Sequence, residues 1–172
     1  FKGTGDETTE TRNLSGFSMI ECNNNIDVII IPGSAYKITV KAGKKIIDGI
    51  TTTVKNNQLV IANQNKCNWV RSFKNKFIVN VSLPELTAIT NWGSGNITTT
   101  DTIRTNELHI DNHGGSGTIK LLMNIGSCRT NVHTGVADFN YTGHIGVHYF
   151  YNNGNGPFNT LQCQCDVVFT EN

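Results

Sequence analysis

Four of the five histidines, His109, His113, His133 and His148, recur with Asp111 and Arg129 at separations close to 20 residues. Imidazole, guanidinium and carboxylate groups repeated in this way would form a face able to hold a polar ligand. An unperturbed imidazole gains a proton a little below neutral pH, so such a face would favour an acidic or hydroxyl-rich polymer such as a polysaccharide. The plainer alternative is a solvated wall whose Asn and His ladders satisfy one another. Zinc wants three or four well-directed ligands. His113 and His133 offer two, with Asn91 and Asn152 as poor additions, so no metal and no cofactor is expected. His144 stands apart with no evident partner. Polysaccharide cleavage needs convergent carboxylates for acid and base roles. Asp101, Glu107, Asp111 and Asp138 do not fall into one column, and no Ser/His/Asp pattern, phosphate loop or Cys/His pairing stands out. The expectation is therefore a non-catalytic binding module, with a carbohydrate-active enzyme of the lyase or hydrolase type as the alternative.

The spacing of these residues comes from a repeat. Trp92-Gly93-Ser94-Gly95-Asn96-Ile97 is echoed by His113-Gly114-Gly115-Ser116-Gly117-Thr118-Ile119, and Gly93, Gly115, Gly135 and Gly154 lie 22, 20 and 19 residues apart. A period near 20 marks a stacked architecture. Four residues after each glycine stands Ile97, Ile119, Phe139 or Phe158; seven before stands Leu86, Leu108, Cys128 or Val147. A third apolar column reads Ile103, Ile125 and Ile145 and fails at Gln164. Three inward columns per period predict an all-β, right-handed parallel β-helix, or β-solenoid, with three sides, coils of about 20 residues and glycines at its corners. Counting back from the glycines puts His109, Arg129 and His148 in one outward column, Ile89, Asp111, Asn131 and Phe150 in a second, and Asn91, His113, His133 and Asn152 in a third. His113 and His133 should stack. A threonine array through Thr98 does not propagate, because its column continues as Lys120, Asn140 and Asn159.

The first half of the chain reads as longer, hairpin-decorated coils. Phe17 and Met19, then Ile26, Val28 and Ile30, alternate as strands do, up to Pro32-Gly33. The interval from Phe17 to Val28 equals that from Leu86 to Ile97, which suggests a degenerate first coil. Asn56-Asn57 suits a two-residue hairpin turn between flanking strands. A polar loop over residues 62–76 carries Cys67 and Trp69, and Phe77, Val79 and Val81 form a further strand before Pro84. Residues 1–12 read as a flexible leader, and 13–172 as a single domain. Val167 and Phe169 begin a column that has no following turn to cover it, which predicts self-association through the C-terminal strand.

Charge narrows the partners. Fourteen Lys plus Arg balance thirteen Asp plus Glu, whereas nucleic-acid and anionic-membrane binders need a basic surplus. No nucleic-acid partner is expected, and no apolar run is long enough for a transmembrane helix. The five cysteines form no zinc pattern, and Cys128 in an apolar column should behave as a small hydrophobe.

In their order along the chain, several of these motifs are similar to those of a known family. Phe17-x-x-Ile20 leads to Ile26-Asp27-Val28, then Leu59-x-Ile61, then Leu83-Pro84-x-Leu86-x-x-Ile89 running into Gly93-Ser94-Gly95-Asn96-Ile97, followed by Gly115-Ser116-Gly117-Thr118-Ile119. The chain resembles the putative auto-transporter adhesin, head GIN domain family over nearly everything after about residue 12. The later sites depart from the pattern as Gly135-Val136-Ala137 and Gly154-Asn155-Gly156. The resemblance implies a right-handed β-helix-like fold. It also implies export to the cell envelope of a Gram-negative bacterium, often with a lipid anchor, which places the chain in the periplasm or at the outer-membrane surface; the polar face described above makes a polysaccharide or an envelope protein the expected partner. It implies no established activity.

Overall fold

The computed structural model describes residues 4–65 and 77–171; Cys67 and Trp69 lie outside these. Period-two alternation sets most of the strands. β1 (Glu7–Arg12), β2 (Met19–Cys22), β3 (Ile26–Pro32) and β4 (Lys37–Gly43) are followed by a short 3-10 turn (Ile47–Gly49), then β5 (Ile50–Lys55), β6 (Gln58–Asn63) and β7 (Phe77–Leu83). In β7 the alternation is complete, with Phe77, Val79, Val81 and Leu83 buried and the residues between them half-buried. β8 (Ala88–Asn91) and β9 (Ile97–Thr99) are short. β10 (Ile103–His113), β11 (Thr118–Thr134), β12 (Asp138–Asn152) and β13 (Phe158–Glu171) are long. Asn56 and Asn57 both take positive φ, 51° and 63°, in the hairpin turn between β5 and β6. Asparagine tolerates that conformation better than most residues.

The fold is all-β, but a regular right-handed parallel β-solenoid does not form. All 13 strands join one sheet in the order β1-β4-β7-β3-β9-β11-β10-β8-β2-β6-β5, with β12 and β13 following from β11. β4 runs antiparallel to both β1 and β7, and β5 antiparallel to β6, while the other pairs are parallel. Where the repeat predicted three separate sides in each coil of about 20 residues, β11 continues for 17 residues as a single strand. It pairs with β9 near its start and with β10 from Met123 onward, so it carries the sheet from one wall to the other. The sheet curls into a nearly closed barrel of mixed strand order. Two of its edge strands, β1 and β5, meet across a seam: Arg12 of β1 donates to the backbone carbonyls of Ile50 and Ile47 and to Thr52 Oγ1, and pairs with Glu10 at 3.2 Å. Residues 7–12 are thus a paired strand and not part of a flexible leader, with Glu7 also 2.8 Å from Lys41.

Apolar side chains from both walls fill the interior. Val28, Ile97, Ile119, Phe139 and Phe158 follow one another from strand to strand, and the first four are buried. The third column is displaced by two residues, since Ile103 pairs with Met123, although Ile125 does pair with Ile145. The turns stack through backbone bonds from Ser116 to Gly93, Val136 to Gly115 and Asn155 to Gly135. At Gly117 an added Cβ would collide with the Gly95 carbonyl, so this approach of two turns requires glycine.

Ile119 lies fully buried between Ile97 and Phe139. Ile119→Ala should cost about 2–5 kcal/mol in urea denaturation, the usual range for truncating a buried aliphatic residue. Lys120→Ala, on the exposed side of the same strand, should change stability by less than about 0.5 kcal/mol.

Candidate functional site

The outer wall is positioned from inside by buried amides. Asn91 ends β8 and Asn112 sits one residue before the end of β10; the two strands pair at this point and both side chains are buried. Asn91 Nδ2 donates to Asn112 Oδ1 at 2.8 Å, Asn112 Nδ2 donates to the Thr134 carbonyl at 2.8 Å, and the Gly93 N–H donates to Asn91 Oδ1 at 3.1 Å. A buried amide without partners costs several kcal/mol, and here each one ties a turn to its neighbour. With the amides turned inward, the next residue on each strand is turned outward. Trp92 and His113 therefore stand side by side.

Their rings stack at 4.3 Å with planes 12° apart, and His113 stacks on His133 at 4.3 Å and 6°. Tyr151 follows at 6.2 Å in a tilted arrangement. A β-bulge between Asn112 and His113 leaves His133 as the extra residue of β11; bulges of this kind re-aim side chains. Beside this ladder runs a column of Asp111, Asn131 and Tyr151. Asn131 Nδ2 donates to Asp111 Oδ1 at 2.9 Å, and His133 Nε2 lies 3.3 Å from the same oxygen. A third column carries His109, Arg129, Tyr149 and Phe169. Glu107 holds His109 at 2.9 Å, the Arg129 guanidinium sits 5.2 Å over the Tyr149 ring, and Tyr149 stacks on Phe169 at 5.0 Å. A shallow groove bounded by Arg129, Asn131, Tyr149, Tyr151 and Phe169 lies between the columns.

Five of the six residues expected on this face, His109, Asp111, His113, Arg129 and His133, stand on it together. His148 does not. It pairs with Cys128 and is buried, its Nε2 3.0 Å from Thr130 Oγ1, with the Tyr141, Phe150 and Phe158 rings within 6 Å. Ile89 and Asn91, also expected outside, are buried too. The cause is arithmetic at the turns: Asn91 pairs with a residue 21 positions on and Cys128 with one 20 on, whereas the glycines used for alignment are 22 and 19 apart. A slip of one residue in a strand moves a side chain to the opposite face. The same slip hid Trp92, Tyr149 and Phe169 from the wall; aligning Asn91 with Asn112 would have placed Trp92 against His113. His144 does have a partner, Asp166 at 3.1 Å.

Burial pushes the Cys22 and Cys128 thiols up to about 12, which makes them small hydrophobes and poor nucleophiles. Cys163 is raised to about 12 as well, first by burial and then by Cys165 beside it. Among the described residues no helix is long and apolar enough to cross a membrane.

The sequence model of the family described as putative auto-transporter adhesin, head GIN domain matches residues 16–170. No curated protein matches the chain. Among solved structures, a putative adhesin from Bacteroides fragilis superposes with a TM-score of 0.87 at 17% identity, over 96% of this chain and 75% of that one. A putative adhesin from Parabacteroides distasonis gives 0.77 at 19%, over 90% of this chain and 64% of its own length, so this chain spans less than two thirds of that protein. A protein from the same species described as a putative lipid binding protein gives 0.74 at 16%, over 98% and 79%. At such identities the likeness shows the fold.

The inward position of His148 can be measured. Burial lowers its pKa from 6.5 to about 4. Between those values the unfolded chain takes up a proton that the folded chain refuses, so stability should fall as pH drops from about 6.5 towards 4. The slope for this one group is at most about 1.4 kcal/mol per pH unit. Urea midpoints at pH 6.5 and 4.5 should converge in His148→Gln relative to the parent. An unchanged pH dependence would place His148 in contact with water.

Proposed function

Because the chain belongs to the putative auto-transporter adhesin, head GIN domain family, we propose that it is a non-catalytic binding module, exported to the cell envelope, whose ligand lies along the ladder wall. The stack of Trp92, His113 and His133 carries this reading. Stacked rings spend their faces on one another and turn their edges outward. Those edges are the positive part of the ring quadrupole and bear the indole and imidazole N–H groups. Arg129 adds a fixed cation, and the amide of Asn131 lies between. Such a surface suits a ligand rich in acceptor oxygens, and the repeat of about 4.8 Å from strand to strand suits a polymer over a single small molecule. A hydroxyl-rich or acidic glycan has that chemistry. Trp92, Tyr149 and Phe169 remain 52%, 40% and 53% exposed despite their stacking contacts, an aromatic patch of the kind that marks an interaction site. The non-catalytic reading is supported by the carboxylates of the wall, since Glu107 is held by His109 and Asp111 by Asn131 and His133.

A chelator-treated sample on an array of neutral and acidic glycans should retain an acidic member, with retention falling as salt rises. Trp92→Ala and Arg129→Gln should each weaken it on the order of tenfold, the range for losing one central contact, while Lys120→Gln on another side should not. If nothing is retained, or both wall variants bind like the parent, the wall is not the ligand site.

Self-association through β13 belongs to the same proposal. Among the described strands β13 pairs with β12 alone, and Val167, Val168 and Phe169 are exposed on it; an open edge with apolar residues recruits a second strand. Light scattering should show a dimer that Val168→Lys converts to monomer. A parent that is monomeric at high concentration would remove this part of the reading.

A further inference from the structure

Asp111, His113 and His133 form a cluster that the ladder alone does not explain. Alternation along β10 sends Asp111 and His113 to the same face two residues apart, and β11 brings His133 beside them. One ligand-type atom from each lies within 4.8 Å of the other two, and all three side chains are half-buried. Asn131 Nδ2 holds the Asp111 carboxylate at 2.9 Å, and His133 Nε2 is already turned to it. The His113 ring is fixed by stacking on both sides, yet it has no hydrogen-bonding partner among the described residues. Counting columns in the sequence found two imidazoles; the register of β10 on β11 adds the carboxylate.

We propose that Asp111, His113 and His133 bind one divalent transition-metal ion of borderline softness, of the zinc class. Two imidazoles and one carboxylate are the donors such an ion prefers, whereas magnesium and calcium call for oxygen alone and copper(I) for sulfur. Asn131 acts from outside the ligand set, orienting the carboxylate as outer partners of metal sites do. Three protein ligands leave a position of a tetrahedral ion open to water or to an oxygen of a bound molecule. Ligand bonds of about 2.0–2.2 Å require the donor atoms to close up from their present spread. An imidazole lone pair lies in the plane of its ring, and the His113 and His133 planes are nearly parallel, so binding turns the His133 ring out of the stack towards the ion while His113 keeps its contact with Trp92; both groups sit at the surface of paired strands whose backbone stays in place. The site does not depend on which polymer the wall binds, and the ion would add positive charge to the end of the wall nearest Trp92.

Calorimetric titration of the full chain with zinc chloride should show saturable uptake that includes one ion lost in His133→Ala and weakened on the order of tenfold or more in Asp111→Asn. His144→Ala, which breaks an imidazole–carboxylate pair elsewhere, should leave that ion in place. Location is read separately: Trp92 stacks on His113, so in a Trp69→Phe background copper(II) should quench the remaining indole emission, and His113→Ala should abolish the quenching. Circular dichroism of each variant checks that it is folded. Zinc uptake identical in folded parent and His133→Ala, no saturable uptake at all, or indole emission indifferent to copper would each overturn the site and leave the cluster as a hydrogen-bonded ladder.

Discussion

The hydrogen bond between the buried amides of Asn91 and Asn112 decides what the outer wall displays. Apolar columns tolerate sliding by two residues, because another aliphatic side chain takes the vacated place; a buried amide does not, since its partners occupy fixed points. The bond from Asn112 to the Thr134 carbonyl extends the same constraint to the next turn. Trp92, His113 and His133 lie together as a consequence of where their neighbours are buried. Polar groups inside the barrel thus set the register, and the aromatic ladder outside inherits it.

The wall is rigid because it is built on strands. Strands of 11, 17 and 15 residues carry its three columns, and each is hydrogen-bonded on both sides. A groove made this way presents its groups at a fixed pitch whether or not a ligand is there, so little ordering entropy is lost on binding. Closure of the barrel by Arg12 supports this from the far side. Three acceptors from two segments converge on one guanidinium, so the edge strands cannot separate without exposing all of them.

Local features were legible from the sequence, and the architecture was not. Alternation identified β3 and β7, Asn56-Asn57 identified a hairpin, and the phase of Ile97, Ile119 and Phe139 identified real neighbours. Parallel stacking of regular coils was the wrong conclusion from them, because the antiparallel partnership of β4 with β1 and β7 leaves no periodic trace. Pairing of that kind depends on contacts distant in the chain. At the site, the two middle strands were read correctly and the flanking ones were not, for a reason confined to single residues: the extra residue before Gly115 and the missing one before Gly154. His148 shows how sharp this is, since a shift of one place separates a solvent-facing imidazole from one hydrogen-bonded to Thr130 in the core.

The placement of β2 and β3 has a consequence in time. Both are central strands, each flanked by partners that come later in the chain: β2 by β6 and β8, β3 by β7 and β9. The bonds from Thr87 to Ser18 and from Asn96 to Asp27 span 69 residues. These apolar strands therefore wait longest for their second partner, and Ile26, Val28 and Ile30 must wait for residue 97 before both edges of β3 are covered. Contacts so distant are slow to form, and exposed strands invite mispairing meanwhile. A chain of this design benefits from being held unfolded until it is whole.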